Sequence, residues 1–271
     1  YTHYAMTFRR PYSKEPDSQK ALLWYEKAEN LGDESASLAI AYMHRDGEFE
    51  EVSVAKAVQR FSRLAKAGNA AAQVALAHIH LTDEKNFHDL GAALHWYILA
   101  ANQQVEAAFV GLGYMYENGI GVAPNISKAI DWYTKGAQLG YPAVQLKLGL
   151  IRYRSAATET QARQALVWLT TAAAQESPSA MNAVAWIYAT SKYASLRNGS
   201  ESITLGTRAN QILGGSATLD TLAAGYAETG NYEKAIALQR SIVTNLEATP
   251  ALHNDYTERL EAYLEKRPWR E

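Results

Sequence analysis

Ala129-Ile130-Asp131-Trp132-Tyr133-Thr134-Lys135-Gly136 has close copies at Ala21-Leu22-Leu23-Trp24-Tyr25-Glu26-Lys27-Ala28 and at Ala93-Leu94-His95-Trp96-Tyr97-Ile98-Leu99-Ala100. Their leading alanines fit a period of 36 residues, which predicts further members at positions 57 and 165. Both are present, as Ala57-Val58-Gln59-Arg60-Phe61-Ser62-Arg63-Leu64 and Ala165-Leu166-Val167-Trp168-Leu169-Thr170-Thr171-Ala172. A fixed period of this length marks a repeat architecture.

A second segment keeps the same period half a unit away, through the pairs Ile40-Ala41, Leu76-Ala77, Leu112-Gly113, Leu148-Gly149 and Val184-Ala185. Within each segment apolar and small residues recur at spacings of three and four, as in Ala108, Leu112, Met115 and Tyr116, which predicts helices rather than strands. Ala or Gly beside the large residue allows a close helix approach, and the recurring aromatic pair reads as core filling rather than a ligand cage. Gly32, Gly68 and Gly140 follow the second helix of a unit at one column, suited to a left-handed cap, and Gly47, Gly119 and Gly121 sit after the first helix. One helix pair cannot bury both of its faces, so the units must stack.

The unit Ala108-Phe-Val-Gly-Leu112-Gly113-Tyr-Met-Tyr116-Glu-Asn-Gly119-Ile-Gly121-Val122, continued by Lys128-Ala129-Ile-Asp-Trp132-Tyr133-Thr-Lys135-Gly-Ala137-Gln-Leu-Gly140, resembles the Sel1-like repeat, a relative of the tetratricopeptide repeat. The resemblance covers about residues 16 to 190 and implies an all-α fold, a right-handed α-solenoid of stacked helix-turn-helix repeats. His44, His80 and Arg152 stand where Tyr is usual, Arg60 replaces Trp, and the glycine-free loop from Asp83 to Leu90 predicts an altered turn. Beyond the repeats, one more helix is expected over 198 to 213. Leu219 to Ala235, with the turn Gly230-Asn231, resembles one tetratricopeptide unit. Asp255 to Lys266 reads as a capping helix and Arg267-Pro268-Trp269-Arg270-Glu271 as a stop. The expected division is a solenoid of about five units over residues 1–190 and a tetratricopeptide-like unit with its cap over 191–271.

Chemistry of the catalytic kind finds no foothold. The 271 residues contain no Cys, which removes disulfides, thiolate nucleophiles and sulfur-ligated zinc. There is no G-x-S-x-G, H-E-x-x-H, Walker or dinucleotide signature. His78 and His80, two apart on one helix, point to different faces. His44 and His80 share a column, but stacked helices stand about 10 Å apart, too far for a shared zinc, so both read as replacements for Tyr. We expect no enzyme, metal or cofactor. Lys and Arg number 26 against 28 Asp and Glu, a formal charge of -2, so no basic field points to nucleic acid. No run approaches the roughly 18 apolar residues of a membrane helix. The sequence opens on Tyr1 rather than Met, as expected after removal of a leader or trimming. The expected location is the periplasm or cell envelope of a bacterium, with the cytoplasm as the alternative.

The resemblance further implies that the first helices line a concave face, with the residue two before the Tyr116 column pointing inward. That column reads Tyr42, His78, Tyr114, Leu150 and Trp186. Neighbouring columns add Arg45, Glu117 and Tyr153, and Asn182. Aromatic side chains on such a wall are typical of binding hot spots. The expectation is a non-catalytic scaffold that captures a protein or peptide partner, the alternative being an envelope or secretion-system adaptor that is polysaccharide-associated or effector-neutralising.

Overall fold

A computed structural model describes residues 2–7, 17–48, 52–83, 85–245 and 250–271. Among these residues every regular element is helical. The chain divides into two compact units, residues 1–129 and 130–271.

In the first unit, α1 (Thr2–Met6) packs on α2 (Ser18–Glu29), followed by α3 (Glu34–Asp46), α4 (Val54–Lys66), α5 (Ala70–Thr82), α6 (Leu90–Asn102) and α7 (Glu106–Asn118). α8 (Ile126–Gln138) spans the division between the units. The second unit holds α9 (Pro142–Arg154), α10 (Glu159–Ala174), α11 (Pro178–Thr190), α12 (Gly199–Leu213), α13 (Ser216–Glu228), α14 (Tyr232–Asn245) and α15 (Pro250–Leu264). The helices expected from the repeat are therefore present, and each unit is built by packing consecutive helices into antiparallel hairpins, the stacked arrangement of an α-solenoid.

The period governs where helices begin. The first helix of successive repeats starts at 34, 70, 106, 142 and 178, and the second at 18, 54, 90 and 126. The last second helix starts early, at Glu159, because Thr158 and Gln161 form a reciprocal capping box that satisfies backbone donors ahead of the usual start. The turn within a repeat is closed by one recurring bond. The backbone N–H of Ser53, Asp89 and Asn125 donates to the carbonyl of His44, His80 and Tyr116, at 2.9, 3.0 and 2.8 Å.

The aromatic pair divides its labour. Tyr25, Phe61, Tyr97, Tyr133 and Leu169, the second members, are fully or almost fully buried. The first members, Trp24, Arg60, Trp96, Trp132 and Trp168, are half-buried at the edge. Lys27 and Lys135 lie over the rings of Trp24 and Trp132, at 4.1 and 4.3 Å from the centroids. Arg60, standing in a Trp position, instead pairs with Glu29 at 2.7 Å. The small residues in the facing helix are needed: a methyl group added at Gly149 would stand 2.5 Å from Leu169 Cγ.

The turn after each second helix requires a left-handed residue. Gly32, Gly68 and Gly140 supply it at φ 87°, 98° and 90°, and Gln104 and Glu176 fill the same column at 59° and 63°. The glycine-free loop is altered as expected. α5 ends on Asp83 without the left-handed cap of Gly47 and Gly119, and His80 Nδ1 bonds the Phe87 carbonyl at 2.8 Å.

In the second unit, Ala262 and Tyr263 of α15 close a cluster with Ala223, Ala227 and Ala235 of α13 and α14.

Candidate functional site

The first helices of the second unit, α9 and α11, pack side by side, and α13 follows α11 in the same layer. Leu150 and Tyr153 of α9 meet Asn182 and Trp186 of α11 in the wall of one recess of about 320 Å³. Asp220 of α13 and Glu271 complete its floor and rim.

Trp186 is held from below. The Arg259 guanidinium of α15 lies 5.4 Å from its ring and is also flanked by Tyr256 and Trp269, at 5.0 and 5.7 Å. Arg259 Nε donates to Asp220 Oδ1 at 3.0 Å, and Gln239 Nε2 donates to the same oxygen at 3.0 Å. Both charges are largely removed from water, with side-chain exposures of 14% and 8%. Burial pushes the Asp220 carboxyl above its ordinary value, and the opposing effects of Arg259 and Gln239 do not reverse it. This buried pair fixes the aromatic floor of the recess. Tyr153 is anchored by donating its hydroxyl to Ser191 Oγ at 2.9 Å, and its pKa is raised chiefly by burial, with the Glu271 charge adding to the shift.

Of the nine residues expected on the inner wall, the structure gathers Leu150, Tyr153, Asn182 and Trp186. The others are spread along the first unit. Tyr42 packs edge-to-face on Phe61 at 5.0 Å, and the Arg45 guanidinium covers the ring at 4.7 Å while bonding Asp46. His78 is exposed, Tyr114 is 44% exposed, and Glu117 is half-buried. Sequence reasoning missed Asp220, Arg259 and Glu271, which lie outside the repeats and reach the recess through tertiary contacts. Among the described residues no group of three or more His, Asp or Glu could hold a metal ion, and no helix is long and apolar enough to cross a membrane.

The Sel1 repeat family matches this chain at residues 11–33, 35–69, 70–105, 108–141 and 142–177. The chain belongs to the Sel1 repeat family. Members of this family are typically protein interaction modules, and the fold is generally a non-catalytic scaffold. Among solved structures, a protective antigen of uropathogenic Escherichia coli with this fold is similar at a TM-score of 0.75 and 24% identity, over 98% of this chain and 61% of the antigen. This chain thus spans about three fifths of that protein's length. A Sel1 repeat protein of Oxalobacter formigenes matches at a TM-score of 0.70 and 19% identity, over 84% of this chain and 94% of that one. An immunity protein of Pseudomonas aeruginosa matches at 0.54 and 15% identity, over 77% and 78%. These likenesses concern the fold. No curated protein matches the sequence.

Proposed function

We propose that this Sel1 repeat protein is a non-catalytic adaptor of the bacterial periplasm or cell envelope, and that it grips a segment of a partner protein on the face presented by its first helices. The observation that carries the reading is the recess where Leu150, Tyr153, Asn182 and Trp186 converge. Apolar rings beside a few fixed polar groups, on rigid helices, favour capture of a peptide or helix. An effector-neutralising role is a narrower form of the same reading, and the immunity protein of Pseudomonas aeruginosa provides an example of this fold in that setting.

The test is affinity capture from the native organism with the wild-type chain, Trp186→Ala and Tyr114→Ala. Loss of a buried aromatic anchor typically costs about 2 kcal/mol or more, some 30-fold in affinity. Trp186→Ala should lose partners with the far-UV circular dichroism unchanged, and Tyr114→Ala should weaken capture less. Partners recovered unchanged by both variants would refute the groove assignment. Calorimetric titration with oligosaccharides separates the polysaccharide-associated alternative, which requires measurable heat.

A further inference from the structure

After α15 the chain turns back and lays residues Arg267–Glu271 against the end of α11. The Glu271 backbone N–H donates to the Thr190 carbonyl at 3.0 Å, and Arg270 Nη1 donates to the Ala189 carbonyl at 3.1 Å. These are carbonyls of the last turn of a helix, which lack partners within the helix. Arg270 also pairs with Glu228 at 2.5 Å, and Trp269 joins the apolar cluster under α15. The Glu271 side chain enters the rim of the recess, where Trp186 Nε1 donates to its carboxylate. Two cations, Arg154 and Lys192, border the hollow beside that carboxylate. Asn182 Oδ1, buried in the same wall, receives no donor from the described residues. Glu271 itself remains exposed.

An indole donor, two nearby cations and a helix-end carbonyl that takes a backbone N–H form a set of partners for one kind of ligand: an extended backbone bearing a carboxylate side chain. We infer that the recess recognises an acidic residue in an extended segment of a partner protein, and that Arg270–Glu271 is a resident stand-in that a partner must displace. The inference deepens the interaction reading above and rests on it. A charge-assisted bond outweighs its neutral counterpart, so a carboxylate should be preferred over an amide. The buried Asn182 amide oxygen is an acceptor for a backbone N–H that the resident tail does not supply.

The probe is fluorescein-labelled Arg-Pro-Trp-Arg-Glu amide, read by anisotropy, beside the same peptide ending in Gln. The chain lacking residues 270 and 271 should bind the Glu peptide, and the Gln peptide about tenfold more weakly. The intact chain should bind the Glu peptide at least tenfold more weakly than the shortened one, because its own tail acts at an effective concentration on the order of millimolar. Since Trp269 packs in an apolar cluster, Glu271→Ala in the full chain provides the second arm, and its affinity for the Glu peptide should exceed wild type several-fold. Equal binding of the two peptides, or no gain in Glu271→Ala, overturns the inference. A full-chain dimer that dissociates on Glu271→Ala would assign the site to a second copy and overturn it as well. Partner capture separates the two levels. Capture that depends on Trp186 but is not increased by Glu271→Ala defeats the acidic-segment inference alone, whereas capture indifferent to Trp186 defeats the interaction reading.

Discussion

Replacing Asp220 by Ala should be among the most damaging single changes in the second unit, and Asp220→Asn should be clearly milder. The Ala variant deletes an acceptor that serves Arg259 Nε and Gln239 Nε2, each at 3.0 Å, and strands a guanidinium that is 14% exposed among three aromatic rings. Removing one member of a buried ion pair costs about 3–5 kcal/mol, most of it the uncompensated charge left behind. The Asn side chain keeps an oxygen where both donors point, so it should recover about 1–2 kcal/mol of that loss while leaving the Arg259 charge uncompensated. Urea denaturation followed by circular dichroism and tryptophan fluorescence measures both, with the slope as a check on the extent of unfolding. The pH dependence provides the sharper test. Burial raises the Asp220 carboxyl in the folded state, so the folded form holds its proton to higher pH than the unfolded chain. The group's contribution to stability is fully present below the unfolded value and falls as pH rises through the folded value. The Asn variant has no such proton. The advantage of wild type over Asp220→Asn should therefore widen as pH drops from 7 towards 4. If it narrows, or if Ala and Asn cost the same, the account of a charge held against its own burial is wrong.

Glu29 should behave with the opposite sign. Burial alone would raise its carboxyl, but hydrogen bonds from Arg60, Ser37 and Arg63 outweigh it and hold the pKa below the ordinary value. Glu29→Gln should cost about 1 kcal/mol at pH 7, and the deficit should vanish as acid titrates the carboxylate in wild type, measured in the same melts. Gln104→Gly, at φ 59°, removes a left-handed L-residue from a turn that elsewhere uses Gly and should raise stability by about 0.5–1 kcal/mol in urea titrations. Gly149→Ala gains helix propensity of roughly 1 kcal/mol yet places a methyl group 2.5 Å from buried Leu169 Cγ, so a net loss of about 1 kcal/mol is expected by the same assay.

The repeat was legible because its signal is redundant. Five in-frame copies of a large residue beside a small one, and of an aromatic pair facing it, identify the same two helices and the same buried faces independently. That redundancy also explains what stayed hidden. Gln104 and Glu176 occupy the left-handed column of Gly32, Gly68 and Gly140, but neither residue announces a positive φ. The column tolerates them because the stacking of neighbouring hairpins specifies the turn, and about 1 kcal/mol of local strain is small beside the burial of two helix faces. The aromatic pair likewise reads as one unit in the sequence, whereas its second member fills the core and its first lies at the edge under a lysine or gives way to Arg60.

The candidate site was legible only by half, and the division follows contact range. Trp186, Tyr153, Leu150 and Asn182 follow from helical phase, which a periodic sequence encodes. Phase says which face a side chain points to, but not what lies opposite. In the first unit the equivalent Tyr42 is taken up by Phe61 and Arg45, a local pairing that converts a wall residue into an edge of the core. In the second unit the facing groups are Asp220, Arg259 and Glu271, the last of them 85 positions from its partner Trp186. Such groups obey no period, and Pro268 within the tail reads locally as nothing more than a stop. A repeat array built from nearest-neighbour contacts has the same reason to develop a distinctive site at its end: there the next repeat is replaced by segments free of the period, and their charges can define one recess without being copied into the others.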